Sequence, residues 1–220
     1  MFLFDLLLSE WRPTTASRGD MFDPQEFVSK CLQALTDPDA ELAVREIVSE
    51  TVSQPEALQA GLATTAPGPI TWYQSPALTV QRIVWPNGVI TPPHEHRMWA
   101  VVGVYQGQED NTLWKRIPHG VEEVGSRELS ARDVLLLGPD AIHAVANPCR
   151  YPTIGLHVYG GDIISTPRSE WDYAGQNEHL FDIAKVEEIV AGLMAKSRQL
   201  GRDLDFDEVR QACLAKSGEK

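Results

Sequence analysis

Hydrophobic positions follow a helical period at both ends of the chain and a strand-like pattern in the middle, so the sequence divides into three zones. From about residue 21 to 62 the period is helical. Asp23-Pro24 has the form of an N-cap followed by proline at the first helical position, and Phe27, Val28, Cys31, Leu32 and Leu35 follow at helical spacing. A second helix is predicted over 41–52 on Leu42, Val44, Ile47 and Val48, and Gln54-Pro55-Glu56 opens a third, short one. From about 69 to 166 short runs rich in Val, Ile, Trp and Tyr are punctuated by Pro-Asn-Gly, Gly-Gln and Gly-Pro-Asp turns. Strands are predicted at 70–73, 79–85, 99–105, 111–116, 121–129, 134–137, 143–147 and 153–159, the spacing of a β-sandwich or barrel. From about 178 to 218 the period is helical again. Ile183, Val186, Ile189, Val190, Leu193 and Met194 form one stripe, and Phe206, Val209 and Cys213 within 205–214 form another.

Composition narrows the partners. The 220 residues carry a formal net charge of −12, which argues against nucleic acid or an anionic membrane surface as a partner. Cys31, Cys149 and Cys213 are too widely spaced for a CxxC motif or a disulfide framework, so a reducing cytoplasm is the expected compartment. The opening Met-Phe-Leu-Phe-Asp-Leu-Leu-Leu is apolar, but it lacks a basic flank and is too short to span a membrane. Residues 1–20 are expected to be an extension, packed or disordered. Residues 21–62 are expected to be N-terminal helices packed on a barrel over 63–170, with C-terminal helices over 171–220, all in one structural domain.

Chemistry concentrates in the middle zone. His94 and His96 stand at i and i+2 after Gly88, and His143, with Asn147 four residues on, follows about fifty residues later. Residues at i and i+2 share one face of a strand, so a third histidine from a neighbouring strand completes one face of a metal's coordination shell. Imidazole suits Zn, Cu, Fe and Ni, and three protein ligands leave positions open for substrate or O₂.

The arrangement Gly-x5-His-x-His followed by His-x3-Asn resembles the two motifs of the cupin superfamily, whose members are double-stranded β-helix barrels, or jelly rolls. In that family the first motif usually continues to a glutamate that is a fourth metal ligand. Here Ala100 and Val101 stand at those positions, which implies a site of three histidines. Within the superfamily, Gly155-Leu156-His157-Val158-Tyr159 resembles the Ser-x-His-x-Tyr triad of cysteine dioxygenases and related thiol dioxygenases, with Gly155 in place of the serine. Gly107-x4-Thr112-x-Trp114 suits the same family. Pro93 to Ala100, Tyr105, Glu109-Asp110-Asn111 and His157 to Asp162 resemble a bacterial group of predicted metal-dependent enzymes of the double-stranded β-helix superfamily. The cysteine that some animal cysteine dioxygenases crosslink to the tyrosine is replaced by Val101.

The resemblance implies an Fe(II) site on His94, His96 and His143, assisted by Tyr159 and His157. O₂ and a small carboxylate-bearing thiol, 3-mercaptopropionate- or cysteine-like, would be the substrates of a monomeric or homodimeric enzyme. Substrate-binding candidates are Arg97, Arg168, Gln74 and Tyr73. A glutamine near 74 is more like mercaptopropionate dioxygenases, and guanidinium matches carboxylate geometry. Trp85 and Trp99 are expected to pack the barrel. The residues leave two other classes open: a different metal-dependent cupin enzyme (a non-thiol oxygenase, isomerase or lyase), and a non-catalytic cupin that binds a small ligand.

Overall fold

The structure, a computed structural model, describes residues 21–62, 66–201 and 204–216. The extension expected over 1–20 lies outside them. Three helices open the described chain: α1 (Pro24–Ala34), α2 (Ala40–Val52) and α3 (Pro55–Gly61). The Asp23 carboxylate accepts from the Gln25 amide at 2.9 Å, with Pro24 in the first turn, as the cap pattern predicts. Eleven strands follow among the described residues. They are β1 (Gly68–Gln74), β2 (Thr79–Trp85), β3 (His94–Glu95), β4 (Ala100–Gln106), β5 (Gln108–Ile117), β6 (Gly120–Ser130), β7 (Val134–Leu137), β8 (Ile142–Ala146), β9 (Thr153–Tyr159), β10 (Ser169–Trp171) and β11 (Glu178–Leu180). Helices α4 (Ile183–Leu200) and α5 (Phe206–Lys216) come last.

The strands form two antiparallel sheets. One has the order β1-β2-β9-β4-β7 and the other β11-β10-β3-β8-β5-β6. From β3 onward the chain crosses from one sheet to the other, with only the β5–β6 and β10–β11 pairs staying in place. This winding makes a double-stranded β-helix, the jelly roll implied by the histidine motifs.

The central strands of the first sheet, β2, β9 and β4, are buried on both faces, which is why they read as nearly continuous apolar runs. On β9, Ile154, Leu156 and Val158 face the N-terminal helices, whose stripes Phe27, Val28, Cys31 and Val44, Val48, Val52 cover them. The alternate residues His157 and Tyr159 face the barrel interior. On β2, Val80 faces the helices, while Gln81, Ile83 and Trp85 face inward. Gly103 on β4 lets α2 come close. A Cβ there would lie 2.4 Å from Val48 Cγ1 and 2.9 Å from Val52 Cγ1. At the other end Leu193 of α4 and Val209 and Cys213 of α5 are buried around Val89.

Two features depart from the pattern. The zone expected to be helical from 178 begins with β11, which pairs with β10 through Ser169–Leu180, Glu170–His179 and Trp171–Glu178. All three β11 residues are exposed, so no alternation marks the strand. The strand carrying the first histidine pair is only two residues long, and His96 lies just past its end.

Candidate metal centre

Strand register builds the site. His94 on β3 sits directly opposite His143 on β8, and the second residue along, His96, returns to the same inward face. Glu95, between them, points the other way. Its carboxylate accepts from Arg97 Nε at 2.6 Å, Arg116 Nη2 at 3.0 Å and the Ser169 amide at 3.2 Å. The three imidazoles are buried, and one nitrogen from each falls within 4.8 Å of the others.

The tautomers follow from the partners. His94 Nδ1 lies 3.0 Å from the Pro92 carbonyl oxygen, which can only accept, so the proton is on Nδ1 and Nε2 keeps its lone pair. His143 Nδ1 donates to Asn111 Oδ1 at 2.7 Å, which frees Nε2 in the same way. His143 Nε2 is then 3.2 Å from His96 Nε2. Two nitrogens each about 2.0–2.1 Å from a shared metal, at angles between octahedral and tetrahedral, stand about 3–3.4 Å apart. The His96–His143 pair therefore fits a shared metal ion, and a His94 nitrogen within 4.8 Å brings a third imidazole to the same point. Burial lowers the pKa of His94 to about 4, its Pro92 hydrogen bond only partly opposing this, and holds His96 and His143 well below the ordinary value. All three are neutral at pH 7, the form that binds metal.

Behind the histidines runs a polar chain that joins the expected His157 and Tyr159 to two residues given no role from sequence, Asn111 and Glu109. Asn111, which orients His143, donates from Nδ2 to Glu109 Oε1 at 3.1 Å. The other carboxylate oxygen accepts from Trp85 Nε1 at 2.8 Å and lies 3.5 Å from His157 Nε2, an ion-pair distance. His157 Nδ1 is 3.5 Å from the Tyr159 hydroxyl, and the Tyr159 ring meets His96 edge-on at 5.2 Å between centroids. Glu109 is fully buried. Burial alone would raise its pKa, but the His157 imidazole 3.5 Å away and the hydrogen bonds from Asn111 and Trp85 hold it below the ordinary carboxylate value. One charged carboxylate thus touches both the support of a metal ligand and the His157–Tyr159 pair. It lies beside His157, to which Gly155 offers no hydroxyl. A sequence signal existed, since Glu109 and Asn111 are i and i+2 on one strand, but β5 reads as an ordinary polar hairpin strand.

The site opens on a cavity of about 730 Å³ that the three histidines, His157 and Tyr159 help to line. Arg168 also lines it. Its guanidinium lies 3.7 Å over the Phe181 ring, which in turn sits 5.9 Å from the His94 ring. Nη1 donates to the Ile163 carbonyl at 2.5 Å, while Nε is buried without a hydrogen-bond partner. Burial lowers the pKa of this guanidinium, and no acid among the described residues forms an ion pair with it. The other substrate-binding candidates lie elsewhere. Arg97 is tied to Glu95 on the far side of β3, Gln74 donates to Asp162 Oδ1 at 2.9 Å, and Tyr73 packs toward the N-terminal helices. Each faces away because it falls on the outward alternation or at a strand end. Asn147, the last motif residue, clamps a turn by donating to the carbonyls of Trp85, Pro86 and Tyr151, at 3.0 Å each. Trp85, expected as packing, both lines the cavity and anchors Glu109, whereas Trp99 packs at the edge of the helix-covered core.

No family model matches the chain. Among solved structures, a cupin superfamily protein from Desulfitobacterium hafniense aligns over 43% of this chain and 76% of its own, at 18% identity and a TM-score of 0.36. An RmlC-like cupin family protein from Methanocaldococcus jannaschii aligns over 44% and 84%, at 13% identity and a TM-score of 0.37. An uncharacterised conserved protein with a double-stranded β-helix domain, from Klebsiella pneumoniae, aligns over 51% and 79%, at 16% identity and a TM-score of 0.36. Likenesses this partial carry no chemistry, and the fold assignment rests on the strand order itself.

Proposed function

We propose that this protein is a non-haem, iron-dependent dioxygenase that oxidises a carboxylate-bearing thiol to its sulfinate. The observation that carries this reading is the set of three buried, neutral imidazoles whose free nitrogens converge beside a cavity holding an arginine with no ion-pair partner among the described residues. When bound, divalent iron supplies the Lewis acidity that ionises a thiol and the redox couple that activates O₂. Three neutral ligands suit that task because they leave the charge of the ion unneutralised. The reaction balances as RSH + O₂ giving RSO₂⁻ and H⁺. Both oxygen atoms go to sulfur, which loses the four electrons that reduce O₂, so no external reductant is needed.

The chain's own groups divide the remaining work. Arg168 pairs with the substrate carboxylate and fixes the sulfur end toward the histidines. Tyr159 stays protonated, since burial raises its pKa, and its hydroxyl is a hydrogen-bond donor in the cavity wall. Glu109 orients His157, and His157 holds Tyr159, as second partners commonly do around a metal. The apolar remainder of the cavity keeps bulk water from the reacting sulfur.

The test is oxygen uptake by the iron-loaded full chain across a panel of thiol acids, with metal content measured on the same sample. The expected outcome is one O₂ consumed per sulfinate formed, with both oxygens labelled from ¹⁸O₂. Absence of uptake with every thiol acid, at one iron per chain, sinks the reading and leaves a metal site with different chemistry.

A further inference from the structure

The cavity is far larger than cysteine or 3-mercaptopropionate requires. Its volume of about 730 Å³ falls in the range that encloses drug-sized ligands. The wall is mostly apolar, with Ile83, Val89, Ile90, Val145 and Ile163 among its lining residues. Three further lining residues, Ile164, Leu180 and Ile183, are 49%, 66% and 42% exposed, so a row of large apolar side chains is left in water where the cavity meets the surface. Apart from the histidines, formal charge enters the described lining at one place only, Arg168. Arg168 stacks on Phe181 and Phe181 lies against His94, so this cation belongs to the histidine end rather than to the exposed rim.

We propose that the natural substrate is an amphiphilic acid, with its carboxylate on Arg168 beside the histidines and an apolar body of drug-like size running past Ile83, Val89 and Val145 to the rim. The thiol on the head group rests on the function proposed above; the carboxylate and the apolar body rest on the cavity alone. An apolar wall gives affinity in proportion to the area it covers, and it discriminates weakly among bodies of similar length. The polar head therefore sets where the molecule reacts, and the body sets how tightly it is held.

Calorimetric titration of the full chain, both metal-free and loaded with redox-inert zinc, tests this without any turnover. The probes are straight-chain monocarboxylates from butanoate to dodecanoate and the matching primary alcohols. The expected result is one ligand per chain, with affinity rising about three- to fourfold per added methylene until the tail reaches the rim. Acids should bind about tenfold or more tighter than alcohols of the same length, and Arg168→Gln should remove that preference while leaving the alcohols unchanged. Ile164→Ser, at an exposed position that does not endanger folding, should weaken only the longest probes. Affinity that stays flat with chain length overturns the proposal, as does equal binding of acids and alcohols by the unaltered protein. The two readings separate cleanly. Long-chain binding without sulfinate formation from any thiol acid retains this inference and removes the thiol chemistry. Turnover of short thiol acids with no gain from chain length does the reverse.

Discussion

Glu109 and Asn111 divide at the level of single residues between holding metal and running chemistry. Asn111→Ala removes the acceptor that fixes His143 and its tautomer, so metal affinity should fall by about 10–100-fold in a chelator competition. Glu109→Gln leaves an oxygen for Asn111 to donate to, so metal binding should change little. It removes the charge beside His157, and sulfinate formation should drop by about 10–100-fold with an altered pH profile. Equal loss of metal in both variants would show that Glu109 acts only through His143. The histidines themselves predict an acid sensitivity. Each is held neutral, with a folded-state pKa below the ordinary 6.5, so the unfolded chain binds more protons than the folded one. Stability of the metal-free protein is therefore lost as pH falls from 6.5, down to about 4 for His94. The slope is about 1.4 kcal/mol per pH unit for each proton taken up. Glu109, with a lowered carboxylate pKa, loses its contribution only at more acid pH. Urea midpoints at pH 7.5 and 5 check the sign, and a midpoint that rises at pH 5 would mean that the imidazoles are not held neutral.

Among the elements, α2 and β4 make the closest approach tied to a single residue. Gly103→Val would drive a branched side chain into Val48 and Val52, so a loss of about 2 kcal/mol or more is expected in denaturant unfolding, with metal affinity in the surviving folded fraction unchanged. Most elements were legible because their burial is periodic. The cap at Asp23, the α2 stripe and the both-faces-buried strands β2, β4 and β9 all lie where the pattern puts them. The three histidines were legible because i, i+2 on one strand is a geometric statement by itself. What was not legible depends on register between distant segments. Glu109 faces His157 only because β5 and β9 enclose the same interior, 48 residues apart in sequence, and no local pattern encodes that. The short strands β10 and β11 were hidden because three residues are too few to show a period. Arg97 looked like a site residue because it adjoins the motif, yet the strand has ended there, its backbone turns through the left-handed region (φ 60°), and its side chain is held on Glu95.

Assembly of the whole molecule governs metal binding. The three histidines lie on β3, just beyond it and on β8, so they come together only in the folded barrel, and a metal they hold would favour the folded state. A divalent metal at a hundredfold excess over its dissociation constant should then stabilise the protein by about 2.7 kcal/mol. Thermal unfolding with and without zinc measures this, and His96→Ala should abolish the shift. A shift that survives His96→Ala would place the stabilising metal elsewhere.

Electroneutrality ties the buried carboxylate to the choice of ligand. The Arg168 guanidinium in the cavity wall and the Glu109 carboxylate behind it carry opposite charges that offset one another. A divalent ion held by the histidines would add positive charge to a largely buried pocket, where unbalanced charge is unfavourable. A ligand that brings both a carboxylate and a thiolate removes the surplus, a monoanion removes half of it, and a neutral molecule removes none. From behind the wall, and without touching the ligand, Glu109 would thereby bear on how many negative charges a guest carries.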